Sequence, residues 1–416
     1  MLKISSKYNI YDCFIFFLIA SLAAGNLFGP LQLPRVIAFL LAIPCLSKLH
    51  VLKRVLGTKR IWIALFLIFS FVSCLWTPAG ISEGLVASVY NLVHVLLFIE
   101  ILVFSKYARN PFKAISLGFL VALFITAVIG FWEMATDNHL STSKLEEARI
   151  GKSGGDNEIF VRYFAAATFF NFNTYVIFIC FLLPFLFWGG VRDDNKPVIR
   201  SIFFIAIAIA IVLVLFNGSR GGLLSIAIMA MVYIYYSFSK LKQSFISILL
   251  LIAALTIAFV YFGPIIFNRL IMRSAMQEAF QDESRFIIWN NVLKVSRDYL
   301  FLGCGAGGLE YVMIKYANDG VTAAHNVFLE LLSEYGMVFM SVFVAFLFKL
   351  FKRARRITDF SRKLCIYQAI MAFPIIGIIN SGYLTQPTLW ASMASLYVFA
   401  NYEQIKPVYQ DLRQTT

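Results

Sequence analysis

Charged residues are scarce in this sequence, making up 14% of its 416 residues against roughly 25% in an ordinary soluble domain. Hydrophobic residues make up 60%, and the mean hydropathy is +0.79. This shortage of charge excludes a soluble globular protein. It predicts an all-α, polytopic membrane protein, because helices satisfy their backbone hydrogen bonds internally when they cross the hydrocarbon of a bilayer.

The sequence also lacks the cysteine and histidine patterns of disulfide frameworks and metal sites. Its six cysteines form no Cys-x-x-Cys pair, and only Cys304 lies in a long polar loop. The four histidines show no zinc-binding spacing. We therefore expect no metal and no cofactor. We also expect no cleavable signal peptide, since further apolar runs follow the first one at once.

Long apolar runs dominate the sequence, and twelve of them approach the roughly 20 residues of a membrane span. The predicted spans are 10–28, 34–47, 61–77, 85–104, 114–133, 163–189, 199–216, 221–238, 244–262, 325–350, 364–382 and 385–401. The predicted organisation is nine spans within 1–262, a large loop with its own helix over 263–324, and three spans with a tail over 325–416.

The placement of lysine and arginine predicts the orientation. The connections on one side, together with the two tails, hold 24 of the 36 Lys and Arg residues. Because cytoplasmic loops retain basic residues, both termini are predicted to be cytoplasmic. The long loops 134–162 and 263–324 then lie outside. The net charge of +14 is interpreted as a topology signal, so we expect no nucleic-acid partner.

An arginine lies between the seventh and eighth predicted spans, within the sequence Asn217-Gly-Ser-Arg-Gly-Gly222. Arg220 is either an anchor that extends to the membrane surface or a ligand-binding group. The neighbouring glycines allow close approach of the backbone to a ligand. The turn also opens a helix, whose first N–H groups favour anions such as phosphate.

An amphipathic helix is predicted over 282–299 in the large loop, with Asp282 or Ser284 as its cap. Its apolar positions are Ile288, Trp289, Val292, Leu293, Val295 and Tyr299. Arg285 and Trp289 share one face. The helix either lies on the membrane with Trp289 as an anchor, or directs Arg285 at a ligand. The following Gly303–Gly308 run is predicted to be a flexible or tightly turned loop, since no βαβ unit supports a dinucleotide site.

A polar group opens the tenth predicted span. His325 lies at the outer boundary of the membrane, where an ionisable residue is unusual, and its side chain suits proton transfer. Asn326, Glu330 and Glu334 follow at intervals of four and share one helix face.

Together these features resemble the O-antigen ligase and O-antigen polymerase superfamily, bacterial membrane glycosyltransferases of the GT-C type. The resemblance covers residues 160–345 and depends on about twelve spans, a large loop between spans nine and ten, and short motifs in a fixed order. Those motifs are Ser219-Arg220-Gly221, Arg285-x-x-x-Trp289, Gly303-x-Gly305 and His325-Asn326-x-x-Leu329-Glu330, with Asn173 in the sixth span.

The resemblance implies an enzyme of the bacterial inner membrane with its active site facing the periplasm. Its donor would be a glycan on undecaprenyl pyrophosphate. The acceptor would be a hydroxyl of lipid A-core, for a ligase, or of a growing O-antigen or capsular glycan, for a polymerase. Catalysis would depend on Arg220 and Arg285, which would neutralise the leaving pyrophosphate, and on His325, which would either act as a general base on the acceptor hydroxyl or orient it. Neither a metal nor a nucleotide sugar would be needed. The implied substrate-binding residues are Ser219, Trp289, Asn326, Asn173 and Glu330.

A transporter or lipid flippase is the alternative from another functional class, because twelve spans are common among transporters. Transporters typically show internal repeats and broken helices around a site at the membrane midplane. Here no repeat is visible, and the polar candidates lie at the outer face. The motifs do not separate a ligase from a polymerase.

Overall fold

The computed structural model describes residues 8–144, 164–192, 194–241, 285–317 and 321–405, and within these ranges every regular element is helical. The helices are α1 (Ile10–Ala20), α2 (Leu33–Leu46), α3 (Leu52–Leu56), α4 (Lys59–Val72), α5 (Ile81–Tyr107), α6 (Pro111–Thr136), α7 (Phe172–Val191), α8 (Pro197–Phe216), α9 (Arg220–Leu241), α10 (Arg285–Asp298), α11 (Leu309–Met313), α12 (Val327–Ala354), α13 (Phe360–Ile376), α14 (Pro387–Ala400) and α15 (Tyr402–Ile405). The all-α prediction is confirmed.

The helices follow the predicted spans. Every predicted span overlaps a helix except the ninth, 244–262, which lies outside the described residues. In the part of the chain that the structure describes, six helices (α5 to α9 and α12) are long and apolar enough to cross a membrane. A bent pair, Leu33–Leu46 with Leu49–Leu56, breaks by 81°. The protein is a multi-pass membrane protein, and the count of twelve spans stays a prediction.

Helix α7 lies at the centre of the bundle. Every residue from Tyr175 to Leu186 is buried, and α7 packs against α6, α8, α9, α13 and α14. A helix that is apolar on all sides requires such a central position. Helix α12 lies at the periphery, where it contacts α4, α10, α13 and α14.

The predicted sixth span, 163–189, begins too early. Residues 164–171 are not helical although they are largely buried, and α7 starts at Phe172. The Glu133 carboxylate accepts hydrogen bonds from the amides of Ala166 (2.9 Å) and Ala167 (2.6 Å), and Asn217 Oδ1 accepts one from Ala165 (2.9 Å). These distant side chains replace helical hydrogen bonds, so an apolar run forms a buried irregular segment.

A second correction concerns the last two predicted spans, 364–382 and 385–401, which leave only two residues between them. In the structure ten residues, Gly377–Gln386, lie between α13 and α14 outside any helix. We call this segment the 377–386 loop.

The glycine run of the large loop fits into a break in α12. Gly336, inside α12, has a non-helical φ of 82°. At this break the amides of Cys304 and Gly305 donate to the carbonyls of Ser333 (2.7 Å) and Glu334 (3.0 Å). The run is therefore a tight turn, one of the two forms predicted for it, and it caps the first part of α12.

Candidate active site

Helix α10 positions Arg285 through a small core of its own. Ile288, Val292 and Val295 are buried on one face of α10. Together with Cys304, Leu309, Val312, Met313 and Ala324 they form a cluster distinct from the main core. This confirms the amphipathic helix, although Leu293, predicted on the buried face, is 45% exposed. The predicted caps Asp282 and Ser284 lie outside the described residues.

Arg285, the first residue of α10, contacts the 377–386 loop. Its guanidinium donates to the carbonyl of Ile378 and, over 3.0 Å, to that of Ile379. The forked geometry of arginine suits two adjacent acceptors. Arg285 therefore links α10 to the 377–386 loop. The spacing of residues in the sequence did not predict this contact.

The start of α12 holds the same loop from another side. The Glu330 carboxylate accepts hydrogen bonds from the amides of Tyr383 and Leu384, both at 3.2 Å, and the amide of Val327 donates to Gly377 O at 2.8 Å. Glu330 is 6% exposed. Its carboxylate thus positions the loop, and the predicted contact of Glu330 with substrate stays a prediction.

Two further residues hold the far end of the loop. Arg35 Nε donates to His94 Nε2 at 3.2 Å, so His94 Nδ1 carries the proton and donates to Leu384 O at 3.0 Å. Arg35 Nη2 also donates to Thr385 O at 2.6 Å. The loop therefore has a fixed backbone conformation despite lacking a helix.

Arg220 begins α9 beside this loop, and its side chain is exposed. The preceding Ser219 is buried, and its Oγ accepts a hydrogen bond from the amide of Gly222 at 3.3 Å, as a helix cap does. A Cβ on Gly221 would lie 2.8 Å from Ile379 Cγ1. The Arg220 turn and Arg285 therefore meet the same residue of the 377–386 loop.

His325, two residues before α12, has an unusual backbone conformation, with φ at 47°. Its Nδ1 is buried and has no hydrogen-bond partner among the described residues. Burial, and then the charges of Arg285 and Lys144, lower the pKa of His325 from 6.5 to about 4. The imidazole is therefore neutral near pH 7, with two cations close enough to act on it.

The remaining predicted residues surround this site. Asn326 caps α12, since its Oδ1 accepts hydrogen bonds from the amides of Phe328 (2.9 Å) and Leu329 (3.3 Å). Trp289 packs against the α10 cluster, and its buried Nε1 has no hydrogen-bond partner in the described ranges. Asn173 lies in the first turn of α7, next to Thr174, whose Oγ1 accepts from Asn380 of the loop at 2.9 Å.

Comparison with known proteins identifies the region that contains most of these residues. Residues 205–344 match the family described as O-antigen ligase. The chain carries an O-antigen ligase family domain. The resemblance that the motifs predicted is confirmed. The match includes Arg220, Arg285 and His325, while Asn173 and the 377–386 loop lie outside it.

Two relatives extend the comparison beyond the O-antigen ligase domain. The teichuronic acid biosynthesis protein TuaE of Bacillus subtilis is 23% identical over 95% of this chain and 86% of its own length. The ComP-specific O-oligosaccharyltransferase of Acinetobacter baylyi is 22% identical over 65% of this chain and 54% of its own length. The similarity to the first relative thus includes the 377–386 loop.

The sequence interpretation missed two parts of this site. Eight of the ten residues of the 377–386 loop lie within the predicted spans, although Asn380, Ser381, Thr385 and Gln386 interrupt the apolar runs and were a usable signal. Lys144 was one of several charges in the polar loop 134–162. Its amide donates at 2.7 Å to the carbonyl of Phe170, which belongs to the irregular segment 164–171. No sequence pattern indicated that contact.

Proposed function

We propose that this protein transfers a glycan from an undecaprenyl-pyrophosphate carrier to an acceptor hydroxyl at the outer face of the membrane, as an O-antigen ligase does. One observation carries the proposal. Arg285 contacts the 377–386 loop at Ile379, the residue that also packs against Gly221 of the Arg220 turn, and its charge acts on His325. The three predicted catalytic residues thus belong to one neighbourhood.

The proposed chemistry follows from the charges of this neighbourhood. The acceptor oxygen forms a bond to the anomeric carbon of the donor while the bond from that carbon to the pyrophosphate oxygen breaks. Neutral His325 takes the proton of the hydroxyl as a general base. Arg220, Arg285 and Lys144 balance the negative charge of the leaving pyrophosphate, so we expect no requirement for a metal.

Joining of repeat units is a second candidate. It is favoured by the relative that aligns with 95% of the chain, which is named for the biosynthesis of teichuronic acid rather than for ligation. Surface polysaccharide from a deletion strain distinguishes the two. Long carrier-linked chains that are absent from lipid A-core indicate a ligase, and a single repeat on the core indicates a polymerase.

Replacement of His325, Arg220 or Arg285 by alanine tests the site. We expect His325→Ala to lower transfer from a carrier-linked glycan by about 10²–10⁴-fold, the usual contribution of a general base. Arg220→Ala and Arg285→Ala should be similarly impaired while the purified proteins stay folded. Lys315→Ala, an exposed cation of the large loop, serves as control. Transfer at the wild-type rate by Arg220→Ala would refute the proposed site.

A further inference from the structure

A large groove runs along α12, from the 377–386 loop towards the C-terminal end of the helix. It has a volume of about 1480 Å³ and lies between α12 on one side and α4 and α14 on the other. Its walls are mostly apolar and include Phe66, Phe98, Phe339, Phe346 and Trp390. One end reaches Leu384 of the 377–386 loop. The groove therefore has the volume and the chemistry of a site for hydrocarbon chains.

Positive charge is concentrated at the other end of the groove. Six lining residues are basic, and one, Glu403, is acidic. The six are Lys59, Lys349, Lys352, Arg353, Arg356 and Arg362. None of the six belongs to the ion pairs of the described residues. This end is the one that the topology prediction assigns to the cytoplasm.

The basic residues come from separate helices and act on one another. Lys59, at the start of α4, donates to Tyr397 Oη of α14 at 2.9 Å. The charges of Arg353 and Lys349, from the end of α12, repel the charge of Lys59. Like charges gathered beside an apolar wall are stabilised by an anion, and arginine binds phosphate oxygens in a forked geometry.

We propose that the groove binds an anionic phospholipid of the cytoplasmic leaflet. Its phosphate lies among Lys59, Lys349 and Arg353, and its acyl chains lie along the apolar walls towards Leu384. This lipid is separate from the glycan carrier, whose pyrophosphate belongs to the opposite end of the molecule. By filling the groove, it holds α12 against α4 and α14.

The retention of basic residues on the cytoplasmic side would by itself explain the positive charge at this end of α12. A matched pair of variants separates this explanation from a lipid-binding site. Arg353 lines the groove, whereas Arg355, two residues later, is exposed and does not. Arg353→Gln and Arg355→Gln remove the same charge from the same end of α12. A topological role predicts equal effects for the two variants, and a lipid site predicts unequal ones.

The test measures binding of phosphatidylglycerol and phosphatidylcholine to the purified full chain in detergent, by native mass spectrometry and by the shift in thermal unfolding. We expect phosphatidylglycerol to bind more tightly and to stabilise the protein. Arg353→Gln and Lys349→Gln should each weaken its binding about fivefold, and Arg355→Gln should not. Equal binding of the two lipids, or equal losses in Arg353→Gln and Arg355→Gln, would overturn the proposal. So would displacement of phosphatidylglycerol by a polyprenyl phosphate, which would make the groove a carrier site.

Discussion

At the scale of single residues, the protonation of His325 follows from its surroundings. Burial and the charges of Arg285 and Lys144 lower its pKa from the ordinary 6.5 to about 4. A base must be unprotonated, so activity falls as pH falls through the pKa of His325 in the free enzyme. We therefore expect the acidic limb of kcat/KM to lie well below pH 6.5, as measured by transfer from a carrier-linked glycan.

Removing a neighbouring cation should shift that limb in a known direction. Lys144→Gln removes one charge that opposes protonation of His325, so its pKa should rise and the limb should move to higher pH. Lys315→Gln should leave the limb unchanged, because its charge does not act on His325. A wild-type limb near pH 6.5, or one that Lys144→Gln does not move, would show that His325 is not the base.

Other residues show how far one side chain can be interpreted from sequence. His325 was identified as a functional candidate because an ionisable group at a membrane boundary is unusual, and Arg285 because it shares a helix face with Trp289. Asn326 and Glu330 were identified as part of a polar stripe on one helix face. In the structure both accept hydrogen bonds from backbone amides, Asn326 as a helix cap and Glu330 from the 377–386 loop. Sequence shows that a polar group is present, whereas only its partners show what it does.

At the scale of elements, the turn at Gly303 is defined by close backbone contact. Gly303 has a φ of 100°, and a Cβ there would lie 2.5 Å from Glu334 O. Gly80, the residue before α5, has a similar φ of 85° but open space around it. Both Gly→Ala variants should lose roughly 1–3 kcal/mol through backbone strain. Gly303→Ala should lose about 1–3 kcal/mol more through overpacking against α12.

Thermal unfolding of the purified variants in detergent measures this difference. We expect a clearly lower midpoint for Gly303→Ala than for Gly80→Ala. Equal midpoints would mean that the turn does not need its close contact with α12. Such a result would leave the break at Gly336 without the support that we assign to the glycine turn.

At the scale of the whole molecule, the prediction most open to test is the topology. Both termini and the 349–363 connection are predicted to be cytoplasmic, and the 134–162 loop is predicted to be outside. A fluorescent-protein fusion after Thr358 should fluoresce in cells, and an alkaline phosphatase fusion after Asn138 should be active. The exchanged reporters at the same two positions serve as controls. Activity of both phosphatase fusions would contradict the predicted orientation.

Sequence by itself determined the multi-pass, all-α fold, the amphipathic α10, the glycine turn and the resemblance to the O-antigen ligase superfamily. These features depend on local composition, periodicity and spacing, which the chain carries without folding. Only the tertiary structure decided that residues 164–171 form no helix, that 377–386 form a loop, and that Arg285 contacts it. In each case backbone groups bond to side chains distant in sequence, such as Glu133 and Glu330. The hydropathy of the sequence cannot identify such partners, because they become neighbours only when the helices pack.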